Sequence, residues 1–123
     1  NYSALPVGVN PIYSYEAKWI FDTPDAPLDI FTCPADLTPR LKSAIEAVSK
    51  DAFGALEVRD WCRIDVRLDS EGTPHIIELN PLPGILQEPK CNSCFPKAAR
   101  AAGMTFTDMV NGVLEAARLR YGI

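Results

Sequence analysis

Cys62-Arg63-Ile64-Asp65-Val66-Arg67-Leu68, then Asp69-Ser70-Glu71-Gly72-Thr73-Pro74, then His75-Ile76-Ile77-Glu78-Leu79-Asn80, closed by Pro81-Leu82-Pro83-Gly84, is the stretch that decides the fold. Both arms alternate with a period of two, the pattern of half-buried strands, and the residues between them have turn composition. The reading is a β-hairpin. Pairing Leu68 with His75 sets a register in which Val66 faces Ile77 and Ile64 faces Leu79, so four apolar side chains share one face of the sheet. The other face then sets Asp65 opposite Glu78 and Arg63 opposite Asn80.

Upstream of the hairpin, Thr38 can cap a helix that opens on Pro39, with Leu41, Ala44, Ile45, Val48 and Ala52 at helical spacing and Gly54 as its stop. Asp22 to Pro34, rich in proline and acidic residues, reads as a loop, and one that long is uncommon unless it works. Leu5 to Pro11 fits a short edge strand. Downstream, Ile85 to Ser93 reads as an ordered loop and Phe95 to Ala102 as a short helix stopped by Gly103. A last helix begins near Thr105, with Asp108 completing a weak capping box and Met109, Val110, Val113, Leu114 and Ala117 as its buried stripe. These elements predict an α+β class: a mainly antiparallel sheet with helices packed on one face.

The 123 residues, 47% of them apolar, suit a single domain, residues 1–123, with one core. The formal charge of −4 and the lack of a Lys/Arg run argue against nucleic acid or a membrane surface as partner. No segment suits a membrane span or a signal peptide, so a soluble, cytoplasmic protein is expected. The lack of an initiator Met suggests a fragment or a processed chain. Cys33, Cys62, Cys91 and Cys94 are too scattered for a disulfide scaffold and read as reduced thiols. Cys91-x-x-Cys94 alone, without a second pair or a nearby His, is a weak metal or redox signal.

Asp65, Glu78 and Asn80 offer the hard oxygens that Mg²⁺ prefers, although a plain solvated strand face can carry acids too. Pro81-Leu82-Pro83-Gly84 favours a site, because a tight reversal there can aim backbone N–H groups inward. His75 reads as solvated, Trp61 as core, Arg67 as one half of an ion pair, and Lys97 and Arg100 as helix-surface charges.

Arg63-Ile64-Asp65-Val66, Glu78-Leu79-Asn80-Pro81-Leu82-Pro83-Gly84 and Ser93-Cys94-Phe95-Pro96-Lys97-Ala98-Ala99-Arg100-Ala101-Ala102-Gly103-Met104 resemble, in order, the C-terminal part of the D-alanine:D-alanine ligases of the ATP-grasp superfamily. Tyr15-Glu16-Ala17-Lys18 resembles their mobile active-site loop, and Cys33-Pro34-Ala35 its exit. The resemblance implies the C-terminal subdomain of an ATP-grasp fold, and a carboxylate-amine ligase that forms a dipeptide for cell-wall precursor synthesis through an acyl phosphate. It implies ATP and two Mg²⁺ ions, or Mn²⁺, as cofactors, with Asp65, Glu78 and Asn80 as metal ligands and Glu78 bridging. Arg63 and the Gly84 N–H would stabilise the oxyanion, Lys18 would reach the transferring phosphate, and Ser93 would hold the second amino acid's carboxylate. Trp19 stands where these ligases commonly carry Tyr, which leaves ligases for other amino acids or amines open, and the Ile85–Asn92 loop is longer than usual.

The sequence carries no Gly-rich phosphate loop, no nucleotide-binding lysine pair and no N-terminal substrate domain. The expected partners are therefore amino acids, ATP and missing N-terminal domains of the same protein, with a homodimer of the full-length protein left open. The chain alone is expected to be inactive; a non-catalytic structural fragment is the other reading.

Overall fold

The structure is a computed structural model that describes residues 3–23, 25–28, 30–91 and 93–123. Pro24 and Asp29 of the expected Asp22–Pro34 loop, and Asn92 of the Ile85–Asn92 loop, lie outside the described residues. A π-helical turn (Ala17–Phe21) comes first, followed by α1 (Pro39–Ala55), β1 (Arg63–Leu68), β2 (Pro74–Asn80), α2 (Cys94–Ala101) and α3 (Phe106–Tyr121). The class is α+β, with one two-stranded antiparallel sheet. Among the described residues, no helix is long and apolar enough to cross a membrane.

The hairpin forms with half of the expected register. Arg63 pairs with Asn80, Ile64 with Leu79 and Asp65 with Glu78, as the alternation requires. The ladder then slips: Val66 pairs with Ile76, Arg67 with His75 and Leu68 with Pro74, correcting the expected pairs Val66–Ile77 and Leu68–His75. Ile77 is the extra residue of a β-bulge, and it is left largely exposed. Asp69 builds the turn, its Oδ1 accepting the N–H groups of Glu71 at 2.9 Å and Thr73 at 2.8 Å. Its Oδ2 lies 3.0 Å from His75 Nε2, and that contact holds the Asp69 carboxyl below its ordinary range.

α1 starts as its sequence dictates, with Thr38 Oγ1 accepting from the Leu41 N–H at 3.3 Å and Pro39 at the first position. It does not stop at Gly54. The helix runs on to Ala55, and the chain reverses through Glu57 (φ 51°) and Asp60 (φ 62°), two non-glycine residues in left-handed conformation. α1 packs on β2, and Leu41, Ile45 and Val48 are half-buried; half-burial of such a side chain contributes about 1 kcal/mol.

α2 ends at Ala101, where Gly103 (φ 83°) takes the left-handed position and the Met104 N–H bonds back to the Ala99 C=O at 3.0 Å. α3 opens on a complete capping box, Asp108 N–H to Thr105 Oγ1 at 3.1 Å and Thr105 N–H to Asp108 Oδ2 at 2.9 Å.

Leu5 to Pro11 is not a strand. The Val9 N–H returns to the Pro6 C=O at 3.2 Å with Gly8 at φ 89°, the geometry of a turn with glycine in its third place. Within the expected loop, Asp22 acts as the organiser: its Oδ1 accepts the Leu28 N–H at 3.0 Å and its Oδ2 the Tyr13 hydroxyl at 3.2 Å.

The core is thinner than the composition suggests. Among the described residues the buried apolar side chains are few, Ala17, Ile30 and Met109 with the prolines Pro83 and Pro96, and α1 contributes none. The accessible surface is 8919 Å², against about 6,500 Å² expected of a folded monomer of this mass. Leu56, Leu114, Leu119 and Tyr121 carry part of that excess, each exposed over more than half of its surface.

Candidate active site

The matched half of the hairpin brings Arg63, Asp65, Glu78 and Asn80 to the end of the sheet that leads into Pro81. Two carboxylates opposite one another across a ladder repel, and Arg63 offsets that repulsion. Its Nε donates to Asp65 Oδ1 at 2.8 Å, while its Nη2 donates to Asp65 Oδ2 at 3.1 Å and to Glu78 Oε1 at 3.2 Å. The bond to Asp65 raises the guanidinium's pKa above its ordinary value. One cation thus bridges both carboxylates, which identifies the position between them as one that favours positive charge.

A hard divalent ion fits this donor set. Mg²⁺ takes one or two protein carboxylates and completes its octahedron with water and phosphate oxygens, and Asp65 and Glu78 are open enough to solvent to allow it. Asn80 also has a structural task. Its Oδ1 accepts the Leu82 N–H at 3.1 Å, so its first task is to hold the Pro81-Leu82 reversal; the second lone pair of that oxygen is uncommitted by this bond. Among the described residues, no group of three His, Cys, Asp or Glu side chains could hold a metal ion.

Gly84 and Ser93 meet through a hydrogen bond. Ser93 is buried; its Oγ–H donates to the Gly84 C=O at 2.7 Å, and its Oγ accepts the Leu86 N–H at 3.2 Å. The hydroxyl expected to hold a substrate carboxylate thus ties the Pro83-Gly84 reversal to the start of α2. Ser93 stands at the N-cap of α2, yet its side chain makes no capping bond.

Lys18 and Trp19 sit on the π-helical turn, anchored by buried Ala17. Both project outward, and Lys18 Nζ lies 5.0 Å from the centre of the Trp19 ring. Among the described residues Lys18 makes no ion pair with Asp65 or Glu78. The π-turn, a form that recurs at functional sites, is not readable from Tyr15-Glu16-Ala17-Lys18-Trp19-Ile20-Phe21, because inserting one residue into a helical turn leaves no signal in so short a segment.

Three supports of the site lie outside the expected residues. Trp61 packs edge-on against Phe95, ring centres 5.4 Å apart at 87°, joining the foot of the hairpin to α2. Asp60 takes a two-bond ion pair from Arg120 at 3.0 and 2.7 Å, joining the same foot to α3. Lys97, on α2, sets its Nζ 4.8 Å over the Phe31 ring, joining that helix to the segment before α1. Arg67, expected in an ion pair, forms none among the described residues.

Comparison with known proteins bears on the whole arrangement. The family described as the D-ala D-ala ligase C-terminus matches residues 6–115. A D-alanine–D-alanine ligase of Haemophilus influenzae is 37% identical over 103 residues, covering 84% of this chain and 32% of that protein. Another, of Cupriavidus metallidurans, is 36% identical over 107 residues, 87% of this chain and 30% of that protein. An uncharacterised protein of Sinorhizobium fredii, y4sG, is 32% identical over 111 residues, 90% of this chain and 31% of its own length. The chain spans about a third of the length of these relatives.

Proposed function

Because the chain belongs to the D-ala D-ala ligase C-terminal family, we propose that it is the C-terminal subdomain, residues 1–123, of an ATP-dependent carboxylate-amine ligase. The ligase joins two D-alanine residues or close analogues through an acyl phosphate, for cell-wall precursor synthesis in the cytoplasm. The observation that carries the reading is the cross-strand cluster in which Arg63 bridges Asp65 and Glu78.

Asp65, Glu78 and Asn80 would hold Mg²⁺ or Mn²⁺, and the ions would neutralise phosphate charge during phosphoryl transfer from ATP. Arg63, at the edge of the same cluster, would offer its guanidinium to the oxyanion of the tetrahedral intermediate. The Gly84 N–H, on the reversal held by Ser93 and Asn80, is the second donor. Lys18 supplies charge to the transferring phosphate, and Trp19 beside it covers the substrate and excludes water. Ser93 contacts the second amino acid's carboxylate by exchanging its bond to the Gly84 C=O for one to the substrate.

The excess exposed surface and the thin core support a fragment whose faces are covered by the rest of the ligase. The isolated chain therefore has no ligase turnover and binds ATP weakly at best. Exposed Trp19, at the position where Tyr is usual, supports the second reading, a ligase of the same mechanism for other amino acids or amines.

Phosphate release by the full-length protein across a panel of D- and L-amino acids tests both readings. D-Alanine as the sole stimulant supports the first, and stimulation by a different amino acid supports the second. No stimulation by any amino acid rejects ligase activity. Tight ATP binding by the 123-residue chain in calorimetry would refute the fragment reading.

A further inference from the structure

The turn that carries Lys18 and Trp19 is braced from within. The Asp22 N–H closes it on the Ala17 C=O at 3.0 Å, and the Asp22 carboxylate accepts the Tyr13 hydroxyl at 3.2 Å and the Leu28 N–H at 3.0 Å. Tyr13 in turn stands edge-on to Phe31, ring centres 5.1 Å apart at 81°. Turn, tyrosine and phenylalanine are thereby tied into one unit. Among the described residues the π-helical turn has no extensive packing on a helix or a strand, so its place in the fold depends on the contacts its braces make. One of these carries charge: Lys97 Nζ, from α2, lies 4.8 Å over the Phe31 ring.

The α2 side of that contact is fixed. Ser93 and Pro96 are buried at the opening of the helix, Ser93 Oγ is bonded to both Gly84 and Leu86, and the Lys97 N–H bonds to the Ser93 C=O at 3.1 Å. Lys97 is itself half-buried, and an ammonium partly withdrawn from water is drawn to a ring face more strongly than one on open surface.

We propose that Lys97 is a positioning residue that, through Phe31, Tyr13 and Asp22, holds the turn bearing Lys18 and Trp19 in a fixed place relative to Ser93. Its consequence for catalysis rests on the proposed ligase reading, in which Lys18 and Trp19 meet phosphate and substrate; the holding of the turn does not. A turn already in place binds substrate without first being recruited. Once freed it is competent for only part of the time, and the apparent affinity falls by that fraction while the saturated rate is kept.

Hydrogen exchange of the full-length protein reads the turn directly. Lys97→Met keeps an unbranched apolar stem and removes the charge. The amides of Lys18 and Asp22, bonded to the Ser14 and Ala17 carbonyls, are expected to exchange about fivefold faster in this variant, while the Asp108 amide in the capping box of α3 keeps its rate. Lys97→Arg retains a cation for the ring and is expected to restore both amides. Phe31→Leu removes the ring itself, so adding Lys97→Met to it should change nothing further. In phosphate release, Lys97→Met is expected to raise KM for the amino acid about fivefold with kcat within about twofold, and Lys97→Arg to restore KM.

Unchanged exchange at Lys18 and Asp22, acceleration of Asp108 to the same extent, failure of arginine to restore, or a loss of kcat at constant KM would each overturn the proposal. If the wild-type protein releases no phosphate with any amino acid, the ligase reading falls, and the exchange rates still decide whether Lys97 holds the turn.

Discussion

Replacing Ser93 by Ala separates its structural task from the substrate contact that its sequence position suggests. The hydroxyl is buried, gives its proton to the Gly84 C=O at 2.7 Å and accepts the Leu86 N–H at 3.2 Å, so Ser93→Ala removes two hydrogen bonds at once. A typical intramolecular hydrogen bond contributes about 1 kcal/mol net, and more where a buried partner is left unsatisfied. Gly84 and Leu86 are themselves exposed, so water can reach both orphaned groups and the larger penalty does not apply. The expected loss is about 1–2 kcal/mol. For a chain of this size that lowers the melting temperature by roughly 4–8 °C, and in urea it moves the midpoint without changing the slope. Hydrogen exchange at the Leu86 amide should accelerate in the same variant. A melting temperature within a degree of wild type, with Leu86 exchange unchanged, would show that Ser93 carries no structural load and would refute the account of the Gly84 reversal.

Two other expectations concern stability. Glu57→Gly removes a side chain from left-handed backbone (φ 51°) and should stabilise the chain by about 0.5–1 kcal/mol in urea titration; a loss of stability would contradict the strain assigned there. Acidification should destabilise. Asp60 is held below its ordinary 3.8 by its bonds to Arg120, Asp69 by His75 and Asp108 by Thr105. A depressed carboxyl stabilises the folded state above the unfolded pKa, and that contribution is lost as pH falls through the lower folded value. The melting temperature should therefore hold from pH 7 to about 5 and drop below about pH 4; a rise in that lower window would reverse the sign of the argument.

The sequence was legible where local chemistry acts alone. Thr38-Pro39 and Thr105 with Asp108 specify helix starts through bonds within four residues, and both stand as expected. The half of the hairpin next to Pro81 is equally direct, because Ile64 and Leu79 must share a face, which puts Asp65 opposite Glu78. The bulge is hidden because Ile76 and Ile77 are identical neighbours, so slipping the register by one costs nothing in the hydrophobic pattern. Gly54 misled because glycine usually marks a helix end, whereas Glu57 and Asp60 make the reversal, with Asp60 tied down by an arginine sixty residues away. Pairings such as Trp61 with Phe95 and Lys97 with Phe31 depend on the tertiary fold, and no periodicity encodes them.

The central claim is that the Asp65–Glu78 face is one wall of a phosphoryl-transfer site. Glu78→Gln tests it most directly, because the substitution keeps the shape of the side chain and removes the charge that a bridging cation needs. Amino-acid-stimulated, Mg²⁺-dependent phosphate release should be measured for the full-length protein with and without it. The account predicts clear stimulation in wild type and a loss of about 100-fold or more in the variant, the several kcal/mol of charge stabilisation that a catalytic metal supplies. Equal rates from the two proteins would contradict it.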